Sequence, residues 1–390
     1  MSININIEQI NGCVLIPTYN NEKTLKRIID EVLTFVSSEY LIVVNDGSTD
    51  KTSEILSQYD DITILSYDEN KGKGYALRKG FHYAINKNFD YVITIDSDGQ
   101  HFPSDIPKLI HECCMNPKTV LMGSRNMNQE GVPNKSSFGN KFSNFWFKLE
   151  TWISLPDTQT GFRLYPLEPI KSLRLFTTKF ELEIEVIVRL AWKGVAFKPV
   201  PINVKYDPSE RVSHFRPGRD FFRISVLNSV LFLGALFYYY PKKFLSKKTW
   251  ELLKNEVIKP EESNLRKSVS LGFGVFMGIF PIWGFQLLIG IPLSVFFRLN
   301  KVLFIAAANI SIPPMIPFII YGSFVVGQFF ITDSIDPSQL FTFNLETIKT
   351  NSIQYLVGSI ILSCIAFCVV TTISYFLFSI FRRNKSLNSK

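Results

Sequence analysis

The chain has 390 residues, a formal charge of +8 and 46% hydrophobic residues, a length that predicts two or three domains with ample core. Residues 1–220 carry 26 Lys and Arg against 27 Asp and Glu, whereas residues 221–390 carry 16 against 7. The positive excess thus coincides with the apolar half, which argues against a nucleic-acid groove and for a membrane with basic flanks.

The N-terminal stretch Met1–Gln9 has neither a basic start nor an apolar run, so no cleavable leader is expected. The β-rich runs Cys13–Ile16, Leu41–Asn45, Ile62–Leu65, Tyr91–Ile95 and Val120–Gly123 predict strands. Between the first two, Leu25, Ile28, Ile29, Val32, Leu33 and Val36 follow helical spacing. Further helices are predicted over Lys51–Ser57, Tyr75–Asn86 and Leu182–Trp192, the last closed by Gly194. Alternating strands and helices predict an α/β domain whose mostly parallel sheet is covered on both faces. Ligands then bind beyond the carboxyl ends of the strands. The five cysteines lack metal-ligand spacing and read as small hydrophobes in a reducing compartment.

After Arg219 the composition changes. Ile224–Tyr240 is apolar and of marginal length for a span, and Pro241–Lys267 is polar, with 8 basic and 4 acidic residues. Val269–Phe297, Val302–Ile331 and Ile353–Phe381 are each long enough to cross a bilayer. The acidic loop Thr332–Ser352 is expected away from the cytoplasm, and the basic linker and tail inside. Val269–Phe297 has basic residues on both sides and is interrupted by Pro281, Gly284, Gly290 and Pro292, which reads as a re-entrant or hairpin element, with a simple kinked helix as the alternative. The expected division is 1–220, an α/β domain; 221–267, an interfacial helix and basic linker; and 268–390, an all-α membrane domain.

The strongest motif is Asp96-Ser97-Asp98-Gly99-Gln100-His101, directly after a predicted strand. In extended chain Asp96 and Asp98 face the same way, and with the Gln100 amide they would make a hard oxygen site for Mg²⁺ or Mn²⁺. The same residue types also build an ordinary helix-capping turn. An EF-hand is excluded, because loop positions 6 and 12 would be His101 and Pro107. Asn45-Asp46-Gly47-Ser48-Thr49-Asp50 could hold a nucleoside, or simply turn the chain into a helix. Pro17-Thr18-Tyr19-Asn20 could stack on a base or form a surface turn. Lys71-Gly72-Lys73-Gly74 is neither a dinucleotide fingerprint nor a P-loop, but places lysines near a helix start where phosphates bind. Ser124-Arg125 and Asp157-Thr158-Gln159-Thr160-Gly161-Phe162-Arg163 complete a set aligned at strand ends.

Together these motifs resemble the family 2 glycosyltransferases of GT-A fold, and among them the dolichyl- and polyprenyl-phosphate sugar synthases, over roughly residues 10–220. The resemblance implies a nucleotide-sugar site at Pro17, Tyr19, Asn20, Glu22, Asp46, Lys73 and Asp96, with a UDP- or GDP-linked donor. It implies a divalent metal at Asp96, Asp98 and Gln100, and catalytic roles for Asp98, Arg125 and Arg163. It also implies an acceptor side at Asp157 and Gln159, whose Asp-Thr-Gln wording points to the glucose branch. Two departures stand out: Asn21 intervenes before Glu22, and Asn45 replaces a common second Asp. Arg211, His214, Arg216, Arg219 and Arg223, interleaved with phenylalanines, read as an interfacial run receiving the lipid phosphate, or as a basic linker near anionic lipid. The stretch Gly272–Gln328, with Phe280 to Gln286, Arg298-Leu299-Asn300, Asn309 and Pro313-Pro314, resembles domain of unknown function 2062.

The implied activity is inverting transfer of a sugar from a nucleotide-diphosphate sugar to polyprenyl phosphate, at the cytoplasmic face of the inner membrane. The rival readings are transfer to another lipid or to a saccharide hydroxyl, and a non-catalytic membrane carrier or scaffold. For the C-terminal domain, a packing anchor and a flippase are the two readings.

Overall fold

A computed structural model describes residues 6–126, 134–205, 214, 216–244, 246–259, 262–282, 284–311, 315–331 and 352–387. Arg211 and Phe215 of the basic run, Trp283, Pro313-Pro314 and residues 332–351, nearly all of the acidic loop, lie outside them. The chain forms two compact units, Met1–Ala235 and Leu236–Lys390.

The first unit is built on seven strands: β1 (Gly12–Thr18), β2 (Leu41–Asp46), β3 (Thr63–Tyr67), β4 (Tyr91–Thr94), β5 (Thr119–Arg125), β6 (Arg163–Pro166) and β7 (Ala196–Ile202). They lie in the order β3-β2-β1-β4-β6-β5-β7. All pairings are parallel except those of β6, which runs antiparallel to both β4 and β5. Every residue of β1 and β2 is buried. That burial explains their continuous apolar runs, because a parallel sheet is covered on both faces.

The covering helices are α1 (Leu25–Leu33), α2 (Thr52–Leu56), α3 (Lys73–Asn86), α4 (Ile106–Met115), α5 (Asn134–Thr151), α6 (Leu167–Lys171), α7 (Leu182–Trp192) and α8 (Pro217–Gly234). Adjacent strand residues feed opposite layers. Leu15 and Val44 pack with Leu77, Phe81 and Ile187 on one face, and Val14 and Ile16 with Ile28, Ile29 and Leu109 on the other. Gly194 ends α7 with φ +83°, a left-handed conformation that glycine adopts without steric cost. The five predicted strands and the predicted helices are present. In the first unit the structure adds β6, β7, α4, α5 and α6.

The second unit is helical: α9 (Tyr240–Phe244), α10 (Lys247–Ile258), α11 (Asn264–Ile279), α12 (Gln286–Phe296), α13 (Lys301–Ala308), α14 (Ile316–Gln328) and α15 (Ser352–Leu387). α15 packs along α11 and α14, and α13 along α11. Buried Ser323, Ser359 and Ser363 return their hydroxyls to carbonyls one turn back, which lets helices approach without an unpaired polar group. Asn300 ties the unit together at one end. Its amide donates to Glu256 and Glu262, and its backbone N–H to the Ser270 hydroxyl.

Val269–Phe297 is broken into α11 and α12 around Phe280–Phe285, where the sequence places Pro281 and Gly284. Val302–Ile331, read as one long apolar segment, holds two short helices, α13 and α14, among its described residues. Two helices among the described residues are long and apolar enough to cross a membrane: Pro217–Lys243, of 27 residues, and Ser352–Ile380, of 29. The first absorbs Ile224–Tyr240 and lengthens it beyond the marginal span read from composition.

Candidate functional site

The carboxyl ends of β1, β2 and β4 open into a cleft of about 690 Å³ in the first unit. Pro17, Thr18 and Tyr19 come from the end of β1, Asp46 from β2, and Asp96, Ser97 and Asp98 from the turn after β4. Lys73 at the start of α3, Lys179 and Phe180 before α7, and His214, Arg216, Arg219 and Arg223 at the start of α8 complete its wall.

Ser97 fixes the acidic turn. Its hydroxyl donates to the Pro17 carbonyl at 3.1 Å and accepts from the Asn21 amide, while its own carbonyl accepts from the Thr24 hydroxyl. Asp96 and Asp98 on either side therefore both reach the cleft. Asp98 accepts the Gln100 N–H at 3.0 Å. Asp96 Oδ1 meets Lys73 Nζ at 2.7 Å, and Lys73 meets Glu183 Oε2 at 2.8 Å. Burial opposes the Lys73 ammonium, but Asp96 and then Glu183 outweigh it and hold its pKa above the usual lysine range. Burial likewise opposes the Asp96 carboxylate, yet the Lys73 ammonium keeps its pKa below the usual carboxylate range. His101 is neutral at physiological pH, because burial pushes its pKa down to about 4.

Gly161 makes this arrangement possible. A Cβ there would lie 2.2 Å from Asp96 Oδ2, so only glycine leaves room for the carboxylate. Tyr19 rests on His214, ring centroids 5.0 Å apart. Asp220, one turn into α8, accepts the Arg216 N–H and fixes the basic run at the cleft edge.

Of the residues singled out in the sequence, Pro17, Tyr19, Asp46, Lys73, Asp96, Asp98, His214 and Arg216 line the cleft. Asp46 also works structurally: it accepts the N–H groups of Lys71 and Gly72, both at 2.7 Å, and so shapes the entry to α3 rather than that of α2. Asn20 and Glu22 do not line the cleft. Asn20 Oδ1 accepts the Thr49 N–H and Glu22 Oε2 the Lys51 N–H, so both clamp the β1 loop to the β2 loop. Gln100 stands outside the cleft lining as well.

Arg125 and Arg163, the expected catalytic cations, are placed away from the cleft lining. The Arg125 guanidinium is engaged by Asp157 through two bonds, 2.6 Å from Nε and 3.0 Å from Nη2. Arg163 is buried, donating to the Thr158 and Thr160 carbonyls, the Tyr165 hydroxyl and the Glu183 carbonyl. Both guanidiniums hold the 157–163 loop, within which Asp157 Oδ1 takes the Gln159 N–H at 3.0 Å and the Gln159 side chain packs against Gly139 of α5. Sequence reading missed Asn70, Lys179 and Glu183. Asn70 donates to Asp46 and accepts from Lys179, and Glu183 pairs with Lys73 across α3 and α7; the acidic first turn of α7 was a sequence signal for Glu183 alone.

The family model for glycosyl transferase family 2 matches residues 13–175, and that for an uncharacterised domain conserved in bacteria, domain of unknown function 2062, matches residues 253–386. An uncharacterised protein of Methanocaldococcus jannaschii is 31% identical over 214 residues, 52% of this chain and 86% of its own. The UDP-N-acetylglucosamine–dolichyl-phosphate N-acetylglucosaminyltransferase of Methanococcus voltae is 27% identical, over 50% of this chain and 85% of its own. The dolichyl-phosphate β-glucosyltransferase of Saccharomyces cerevisiae is 27% identical, over 50% and 67%. With its mostly parallel GT-A-like sheet and acidic turn at the carboxyl edge, the chain is a glycosyltransferase and belongs to glycosyl transferase family 2.

Proposed function

We propose that the protein transfers a sugar from a nucleotide-diphosphate sugar to a polyprenyl phosphate at a membrane surface. One observation carries the reading: the cleft holding Asp96 and Asp98 is walled by His214, Arg216, Arg219 and Arg223, which open a 27-residue apolar helix. A lipid-borne phosphate would meet cations at that rim while its chain stays with the helix. The names of the relatives, which act on dolichyl phosphate, support the same acceptor class.

The donor's base would lie by Pro17, Tyr19 and Asp46, and its diphosphate by Lys73 and the acidic turn. The residues present fit a divalent cation. Asp96 and Asp98 share the cleft, and Mg²⁺ commonly takes one or two carboxylates with substrate phosphates as its remaining partners. Such an ion, Mg²⁺ or Mn²⁺, would offset charge on the leaving diphosphate. Lys73 holds Asp96 in place and adds a positive charge beside it. A phosphate nucleophile is already ionised near neutral pH, so attack needs no general base. Attack opposite the leaving diphosphate would invert the anomeric centre. Residues 1–220 would be the catalytic domain, 221–267 its interfacial helix and linker, and 268–390 a helical membrane domain. The basic flanks favour a catalytic face on the cytoplasmic side of the inner membrane.

Protein purified in detergent should convert one of a panel of UDP- and GDP-sugars, with polyprenyl phosphate and Mg²⁺ or Mn²⁺, into a glycosylated isoprenoid phosphate. EDTA should abolish the product. Labelling confined to diacylglycerol or glycan would overturn the acceptor assignment, and activity indifferent to EDTA would overturn the metal.

A further inference from the structure

The segment between α6 and α7 is pinned by a buried carboxylate that the catalytic reading does not use. Glu185, in the first turn of α7, is fully buried. Its oxygens accept the Phe176 N–H at 3.1 Å, the Thr177 N–H at 2.9 Å and the Thr177 hydroxyl at 2.7 Å. Arg189 Nε also donates to it at 2.7 Å, and the same guanidinium lies 5.1 Å from the centre of the Phe176 ring. A carboxylate taken out of water must be met by donors, and here one loop supplies several of them. Glu185 therefore staples that loop to α7.

The residues after the staple become cleft wall. The Thr178 carbonyl accepts the Tyr75 N–H of α3 at 2.8 Å. The Lys179 stem crosses Gly72 so closely that a Cβ at Gly72 would collide with Lys179 Cδ, and one at Gly74 with the Lys179 carbonyl. Lys179 and Phe180 then line the cleft beside Asn70, Gly72 and Lys73. Two neighbouring lysines are engaged elsewhere: Lys73 lies between Asp96 and Glu183, and Lys71 over the rings of Tyr67 and Tyr75. The N–H groups of Lys71 and Gly72 go to Asp46, so these donors at the entry to α3 are not open to an anion. The Lys179 ammonium donates to a neutral group, Asn70 Oδ1, at 3.3 Å, and has no carboxylate partner among the described residues.

We propose that Glu185 is a positioning residue for the donor: by stapling Phe176 and Thr177 to α7 it fixes Lys179 and Phe180 as the cationic and aromatic wall against which a nucleoside diphosphate is held. The proposal rests on the cleft being a nucleotide-sugar site, and not on the acceptor. Helix α7 thus serves the cleft twice, since Glu183 holds Lys73.

The test uses the full chain in detergent, with UDP and GDP as probes beside uridine and guanosine. Amide hydrogen exchange, nucleotide affinity and steady-state kinetics are compared for wild type, Glu185→Gln, Thr177→Ala as a milder cut at the same staple, and Lys179→Gln. In Glu185→Gln the amides of 176–180 and of Tyr75 should exchange about tenfold faster, with the rest of the first unit unchanged. The diphosphate that the wild type binds should bind about tenfold more weakly, the donor KM should rise accordingly, and the KM for polyprenyl phosphate should stay. Thr177→Ala should move the same readouts in the same direction by less, and it carries the test if Glu185→Gln does not fold. Lys179→Gln should weaken the diphosphate equally, leave exchange unchanged and leave the bare nucleoside unaffected. Faster exchange with unaltered nucleotide affinity, or exchange raised across the whole unit, gives Glu185 a structural role only and overturns the proposal. A Lys179→Gln variant that binds like wild type, or that loses the nucleoside as strongly as the diphosphate, overturns it as well. A wild-type protein that binds neither UDP nor GDP overturns the nucleotide-sugar reading, and the proposal with it.

Discussion

Arg125 and Asp157 close on each other through three N–H···O bonds, two from the guanidinium and one from the backbone, with the Asp157 side chain wholly buried. Removing one member of such a pair leaves the other charge buried and unpaired, a loss of about 3–5 kcal/mol. Asp157→Ala should therefore lower the unfolding midpoint in detergent sharply. Arg125→Lys should lower it too, because an ammonium cannot make the paired contacts of the guanidinium. A lysine variant that unfolds at the wild-type temperature but binds donor or acceptor poorly would instead assign Arg125 to a substrate phosphate.

Gly161 touches Asp96 where a methyl group has no room. Gly161→Ala should push the Asp96 carboxylate off Lys73 and out of place, and a misplacement of that order costs about 100-fold in rate. Steady-state kinetics alongside circular dichroism would check this. Unchanged turnover would mean that the position of Asp96 is unimportant.

Asp98→Asn keeps the size of the side chain and its carbonyl acceptor for the Gln100 N–H, and removes only charge. The variant should fold, turn over about 100-fold more slowly, and require more Mg²⁺ or Mn²⁺ for half-maximal activity. A folded variant with normal turnover would leave the scaffold reading as the better one.

Glu150 is buried in the first unit, and neither of its carboxylate oxygens has a hydrogen-bond partner among the described residues. Burial pushes its pKa up to about 9. The unfolded chain releases this proton near the ordinary glutamate value, about pH 4.3, while the folded chain keeps it. Stability from this group is whole below that value and falls as pH rises towards about 9. Glu150→Gln should flatten the decline of the thermal midpoint between pH 6 and 9, and raise the midpoint at the alkaline end. Identical pH profiles for the two proteins would show that Glu150 is ionised or solvated in the fold.

The elements legible in the sequence are those whose burial leaves a period or a continuous apolar run, such as β1, β2 and α1. β6 was not legible, being four residues that begin with Arg163 and end with Pro166. β7 hides behind Pro199 and Pro201, which its position at the sheet edge tolerates. α5 carries aromatics outward, so its pattern does not announce a core-facing helix. At the site, Asp96, Asp98, Lys73 and Tyr19 were readable because strand ends converge on one edge. The roles of Arg125 and Arg163 were not, because a cation's partner is set by tertiary contact. In the fold Asp157 pairs with Arg125, and Glu183 lies 3.8 Å from Arg163.

The reversed strand β6 also orders events on the ribosome. β1 to β4 can pair as soon as they emerge, whereas among the described residues β5 pairs with no earlier strand, and β6 joins it to β4. Residues 163–166 must be synthesised before the outer pair can dock, and the pairing of Thr94 with Arg163 is what brings the acidic turn beside Gly161. A chain truncated before β6 would hold a half-sheet with an exposed β4 edge, the kind of intermediate that aggregates or recruits chaperones. The acidic turn and Gly161, 62 to 65 residues apart in the chain, thus depend on one short reversed strand for their juxtaposition.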